Sequence, residues 1–579
     1  MCAVSCELKT PHTAHSAQRT PLPFLAAARS FPAVIVPALL LLFQGQNPLA
    51  VAEDRTRPDE DVLHYEISLS LSDSARASVV AHTTVRYLVV GEQGPLALDF
   101  DSALTVDSVI GAKGRIPEAR PARRRAAAQA GWQMRRVGTG WVLAVPEWGK
   151  PGDSLEVTIY YRGRPRDGLY IRNNHYGALT AFADNWPNRA HFWFPCNDHP
   201  SDKATVTFSV EVPPAWRAIA NGGLDGVDTL DQGRTRWRWH TSRPTPTYTM
   251  VVGAARMAVT ALATLSGVPQ SVWTFPEDSA FAVQGPFRRA ATMVDAYTKL
   301  IGAFPYSKLA HVESSTRFGG MENSSAIFYA EGPYVDRGMS EETVAHETAH
   351  QWFGDAVTER DWHHLWLSEG FASYFGPLFY ELVQEPASMK EAMERNRRVY
   401  LASDVVDHPI IDTANKNIPT LLNENNYPKA AWVLAMLRRE VGDSAFFGGV
   451  REYYATFRDS TALSSDFAAI IERFAGRPLD WFFKQWLLQP GYPKLDVTWS
   501  YEAGELSLAV KQTQPGAWGF FRLSLPAAVE MEDGGKETFT IPVEARAESQ
   551  IRQPLAARPT RIVLDPEGVV LAETEARPR

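Results

Sequence analysis

The chain has 579 residues, of which 45% are apolar, 21% charged and 11% aromatic, with a formal net charge of -8. That is too long for one compact core and suggests about three to four domains, each able to bury a substantial interior. The acidic balance argues against a nucleic acid partner.

The N-terminus differs from everything after it. Residues 1 to about 30 carry Lys9, Arg19 and Arg29 with no acid after Glu7, FPAVIVPALLLLF follows at 31–43, and LAVA ends at Ala52. This is the pattern of a secretory signal peptide over 1–52. The apolar run is shorter than the roughly 20 residues of a membrane span and contains Pro37, while Ala50 and Ala52 offer small residues for cleavage before Glu53. A secreted or periplasmic product with no stable membrane span after cleavage is expected. Of the three cysteines only Cys196 lies beyond this segment, so no internal disulfide is expected.

From 53 to 255 the pattern is strand-like. VLHYEISLSLS, TTVRYLVVG, SLEVTIYYRG and KATVTFSVEVP alternate between apolar and polar residues and are separated by Gly, Pro and Asp clusters, as in a large all-β domain. The seven arginines of residues 115–136 are read as a solvated insertion loop. Between 256 and 492 the periodicity becomes helical, in PFRRAATMVDAYTKLIGAF, SEETVAHETAHQWFG, AAWVLAMLRREVG and SSDFAAIIERFAG. Alternation returns over 493–579, suggesting a terminal β-sandwich. The expected fold is therefore multidomain α+β.

The stretch HETAHQWFGD begins at His346. Ser340 is a good N-cap, Glu341 and Glu342 suit the positive end of a helix, and Gly354 can end it, so the sequence predicts a helix over 341–353. At 3.6 residues per turn His346 and His350 share one face, where both imidazoles can reach one ion. Glu347 projects beside them. A catalytic zinc needs a third protein ligand and an open position, and Glu369 in LWLSEGFASYF is the candidate. His363 and His364, flanked by Trp362 and Trp366, are read as packing or surface residues.

HETAHQWFGD, followed after eighteen residues by Glu369, resembles the M1 family of zinc aminopeptidases. GGMEN at 319–323 sharpens the resemblance, matching the family's Gly-x-Met-Glu-Asn motif. YPKAAWVLAML from Tyr427 looks like its Tyr-x-Lys-Gly-Ala segment, with Ala430 where glycine is usual, and WFPCNDHPSDKATVTF at 193–208 is similar to its N-terminal domain signature. The resemblance implies a saddle-like N-terminal β domain, a thermolysin-like, mostly α catalytic domain and a C-terminal β-sandwich. It also implies one zinc ion and peptide substrates with a free N-terminus.

In the mechanism the family implies, Glu347 is the general base and Tyr427 a donor to the developing oxyanion. Glu322 is the carboxylate receptor for a cationic α-amine. Gly319 and Gly320 would let a substrate lie close as an added strand, with Met321 walling the first side chain and Asn323 orienting the amine or its loop. Asp184, five residues before Arg189, corresponds to a second amine-binding position, although two extra residues separate Arg189 from the FPC element. Asp355 and Ser373 are the nearest candidates to orient the zinc ligands.

Larger members of the family continue into a helical domain that caps the cleft. This sequence ends at 579, so a more open cleft is expected. Its oligomeric state and preferred first residue are not legible. Relatives that open a leukotriene epoxide, a non-enzymatic peptide-binding module and an endopeptidase are the competing readings. Intact Glu322, His346, Glu347, His350, Glu369 and Tyr427 favour the aminopeptidase.

Overall fold

A computed structural model describes residues 49, 59–72, 78–91, 95–119, 131–138 and 140–579. The signal segment, Leu49 apart, and residues 120–130 of the arginine-rich stretch lie outside these residues. Within them the protein is a mixed α+β chain whose first part is β-rich and whose middle is largely helical.

In the β-rich part, strands Glu60–Ser70 and Val79–Val89 run antiparallel, and Lys203–Val212 pairs with the first of them in parallel, within a nine-stranded sheet. The period-two pattern has its expected consequence: Tyr65, Ile67, Val85, Tyr87 and Phe208 point into one core and the residues between them face outward. A second sheet holds Leu169–Asn173, Leu179–Ala183, Val252–Ala255 and Arg217–Ala220. Its strand Leu179–Ala183 leads directly into Asp184, Asn185 and Trp186. Phe182 meets Phe328 edge-on, ring centroids 5.5 Å apart, which joins this sheet to the next.

That next sheet contains Ala258–Ala261, Gln270–Thr274, Leu309–Ser314 and Ala326–Ala330, the last three in parallel. Met321 and Phe328 exchange both backbone hydrogen bonds, 2.8 and 2.9 Å, so the GGMEN segment runs antiparallel beside Ala326–Ala330. The helices follow. Glu341–His350 packs on Trp366–Leu382, which in turn packs on Ala430–Val441. Ser340 caps the first of these by accepting the Thr343 amide at 3.0 Å. That helix closes at His350, earlier than 353, because Trp352 N reaches Ala349 O and Asp355 N reaches His350 O in tighter and looser turns that bring the chain to Gly354 at φ +115°. The chain ends in strands, arranged as one four-stranded sheet over Lys494–Glu502, Glu505–Gln512, Glu548–Pro554 and Glu573–Pro578 and a second of three. Among the described residues no helix is long and apolar enough to cross a membrane.

Candidate metal and active site

The histidine helix brings His346 and His350 one turn apart, with their Nε2 atoms 3.1 Å from each other. The following helix delivers Glu369, whose Oε2 stands 3.4 Å from His346 Nε2 and 3.2 Å from His350 Nε2. Ligands tetrahedrally disposed about 2.0–2.1 Å from one ion stand about 3.3 Å apart, so these three edges match a single metal ion. Glu369 Oε2 is buried without a hydrogen-bond partner, as a donor atom reserved for a cation would be. Three buried carboxylates, Glu322, Glu347 and Glu369, surround two imidazoles, an excess of negative charge that a divalent cation offsets. The residues fit a metal.

The tautomer of His350 follows from its neighbours. Its Nδ1 lies 3.1 Å from the Phe353 carbonyl, which can only accept, so Nδ1 carries a hydrogen and Nε2 is the nitrogen turned to the cluster; burial opposes charging the ring, but Glu369 and Glu322 outweigh it and raise its pKa well above the ordinary value, so a cation bound there would take the place of the Nε2 proton. Ser368 Oγ is 3.0 Å from the same nitrogen. Ser368 therefore stands where Asp355 or Ser373 was expected. Asp355 instead accepts from Gln351 Nε2 at 2.8 Å, and Ser373 lines the cavity beside His346. Ser368 reaches His350 from the neighbouring helix, a contact that spacing along the chain does not reveal. Gln351 was also missed: its side chain donates to Glu322 O at 2.8 Å and accepts from Ser325 N at 2.7 Å, tying the histidine helix to the GGMEN loop.

Glu322, Glu347 and His350 form a second group whose ligand atoms lie within 4.8 Å of one another. It shares His350 with the first but offers one imidazole to two carboxylates, a poorer set for zinc than two imidazoles and one carboxylate. Burial pushes the Glu347 carboxyl well above the usual carboxylate range and that of Glu322 up to about 7. Burial acts on Glu369 in the same direction, but the charges and contacts of His350 and His346 overcome it and hold the group below its ordinary value. A Cβ built on Gly320 would overlap the Glu347 carboxylate, so glycine there makes room for that side chain.

Lys429 N bonds Glu424 O at 3.0 Å, a wide turn over Asn425–Lys429 that accommodates Pro428 before Ala430–Val441 begins. The turn aims Tyr427 at the cluster: its hydroxyl donates to Glu369 Oε1 at 2.7 Å and its ring lies parallel to that of His346. Burial raises its phenol well above the ordinary range.

One cavity of about 230 Å3 has Gly319, Gly320, Met321, Glu322, His346, Glu347, His350, Glu369 and Tyr427 in its wall, together with Trp186, Phe318 and Leu422. Asn323 and Asp184 are not part of that wall. Asn323 is fully buried and its side chain donates weakly to Met321 O at 3.4 Å. Asp184 is 1% exposed and pairs with Arg189, which also donates to Tyr170 Oη at 2.8 Å and Trp186 O at 2.7 Å. His363 bonds Asp361 and the Asn415 carbonyl, and His364 bonds Ser464, all away from the cluster.

A mixed α+β fold with two imidazoles and a carboxylate converging beside a further buried carboxylate defines a metallopeptidase type of site. Residues 63–249 match the model of the Peptidase M1 N-terminal domain and residues 289–486 that of the Peptidase family M1 domain. The chain belongs to peptidase family M1. It is 29% identical over 347 residues to human glutamyl aminopeptidase, covering 57% of this chain and 36% of that protein. The pig glutamyl aminopeptidase is 28% identical over the same length and shares. An aminopeptidase N of Haemonchus contortus is 30% identical over 353 residues, 55% of this chain and 36% of that protein. The matched segment thus spans little more than a third of these relatives.

Proposed function

We propose that the protein is a zinc aminopeptidase that releases single residues from the N-termini of peptides. The observation that carries this reading is the position of Glu322: a buried carboxylate that shares a cavity and a 4.8 Å neighbourhood with Glu347 and His350. A carboxylate there meets a cationic α-amine, and an endopeptidase has no use for it. Two imidazoles and a carboxylate suit zinc, which supplies a Lewis acid and an acidified water at neutral pH.

The chain's own groups carry the remaining roles. Glu347 accepts a proton and returns it to the departing amine. Tyr427, turning its hydroxyl from Glu369, donates to the oxyanion that develops on the scissile carbonyl. Gly319 leaves open space beside the backbone for an extended peptide, while Gly320 gives its room to Glu347. Met321 backs the first residue, while Asn323 and Asp184 act from behind the wall, the latter by holding Arg189.

Export by way of residues 1–52 belongs to the same proposal, as does a division into an N-terminal β domain, a thermolysin-like domain and a C-terminal sandwich. The two terminal sheets support the sandwich by sharing apolar residues such as Val497, Leu508, Leu525 and Val529 in one core.

The test is hydrolysis of aminoacyl amides and their N-acetylated twins, before and after chelation and zinc repletion. Cleavage of the free amines alone, lost with the metal and regained with zinc, is expected. In Glu322→Ala the preference for free over acetylated substrate should fall by about a hundredfold, because a buried charge-assisted contact is lost. An unchanged ratio in that variant would remove the amine-anchor role.

A further inference from the structure

Two cavities meet at His346 and Tyr427. One, of about 520 Å3, has Glu342, Ser373, Arg395 and Asn396 in its wall. The other, of about 230 Å3, contains Glu322. On the aminopeptidase reading, on which this inference rests, an α-amine at Glu322 puts the first side chain of the substrate in the smaller cavity and the rest of the peptide in the larger.

The wall of the smaller cavity divides by chemistry. Its ionisable groups gather at the metal end and around Glu322, and what remains is Trp186, Phe318, Met321 and Leu422. These four belong to one apolar cluster that continues behind them into Tyr248 and Trp362. Trp186 meets Phe318 and Trp362 edge-on, with centroids 6.1 and 5.6 Å away. The backing is therefore largely apolar.

One guanidinium stands against the wall without lining the cavity. Arg189 lies over the Phe318 ring, 5.9 Å from its centroid. Its donors are occupied by Asp184, Asp167, Tyr170 and the Trp186 carbonyl. Arg317 is drawn over the Tyr170 ring, 5.8 Å from its centroid. Among the described residues no lysine or arginine lines this cavity.

We propose that the wall formed by Trp186, Phe318, Met321 and Leu422 selects peptides whose first residue is large and uncharged, such as leucine, methionine or phenylalanine, and rejects an acidic first residue. A glutamyl side chain placed there loses water, gains no cation and stands beside carboxylates. A lysyl or arginyl side chain laid against the four apolar residues loses water without a carboxylate partner of its own, because the α-amine occupies Glu322 and Glu347 and Glu369 belong to the metal end. Alanine leaves the aromatic wall uncovered, and each missing methylene costs about tenfold or more in discrimination. The selectivity thus departs from the one that the names of the glutamyl aminopeptidases describe.

The test compares kcat/KM of the zinc-loaded full chain on leucyl, phenylalanyl, methionyl, alanyl, glutamyl and lysyl amides. The first three should exceed alanyl by at least about tenfold and glutamyl by at least about a hundredfold. A glutamyl or lysyl substrate in first place, or alanyl equal to leucyl, overturns the proposal. Leu422→Arg supplies the missing cation and should raise glutamyl relative to leucyl by at least about tenfold, whereas Leu422→Met should not. If no amide is cleaved, the aminopeptidase reading falls and the selectivity is judged by calorimetry with leucine and glutamate hydroxamates. Leucine tighter by about tenfold sustains it; equal affinity, or tighter glutamate, ends it.

Discussion

At the metal end of the cleft, His346, His350 and Glu369 come from two consecutive helices. At the other end Trp186, Phe318 and Leu422 come from segments far apart in the chain, one of them in the β-rich part. The metal end is held by helix periodicity and by short second contacts such as Ser368 to His350. The end at Glu322 is held by aromatic packing and by the buried Asp184 to Arg189 pair. Local geometry makes the first nearly independent of the rest of the fold, whereas the second exists only once the two parts have docked.

The largest separation of the two ends is expected from Glu347→Gln, which should lower kcat by about a thousandfold while metal content and the affinity for a leucine hydroxamate stay close to the parent. Near-normal turnover would remove Glu347 as the base. Tyr427→Phe comes next, with kcat lower by about a hundredfold and KM little changed if the hydroxyl serves the oxyanion. Steady-state kinetics on a leucyl amide reads both, and an unchanged kcat would leave Tyr427 only its contact with Glu369.

The same contrast explains what could be read from the sequence. His346, His350, the Ser340 cap and the alternating strands follow from spacing, because each is a property of a few neighbouring residues. Three features did not follow. The wide turn at Asn425–Lys429 arises where Pro428 removes a donor from an incipient helix, and spacing could not distinguish it from a first helical position. The partnering of Asp184 depends on the path of Leu179–Ala183 between its sheet neighbours. Trp186, Phe318 and Leu422 look like any core residues until the fold puts them in one wall.

Asp184 gives a way to probe the end at Glu322 from behind the cavity wall. Burial pushes its carboxyl up to about 6, against Arg189, Arg317 and Arg172 and with some help from Asp167. Because the folded value lies above the ordinary one, the folded chain holds this proton more tightly. Its stabilising contribution is full below about pH 4 and is lost as pH rises through about 6. Asp184→Asn cannot titrate, so parent stability relative to the variant should decline by roughly 2 kcal/mol between pH 4 and 7. Calorimetric melting of both zinc-loaded proteins across that range measures the difference, and a flat difference would mean that the folded environment leaves Asp184 unshifted.

Ser368→Ala should have the smallest effect and tests whether the metal end is as self-contained as its geometry suggests. His350 Nδ1 has two oxygen neighbours, Phe353 O at 3.1 Å and Ser368 Oγ at 3.0 Å. Removing the hydroxyl leaves the carbonyl, so the imidazole keeps its Nδ1 hydrogen, keeps Nε2 turned to the cluster and loses only part of its orientation. Groups that orient a ligand are worth about 10 to 100-fold in metal affinity, and with one of two partners retained the loss should be about tenfold. Competition with a zinc chromophore chelator measures it. A larger loss would make Ser368 the principal anchor of the ring, and no loss would assign that work to the Phe353 carbonyl, a backbone group fixed by the turn that closes the histidine helix at His350.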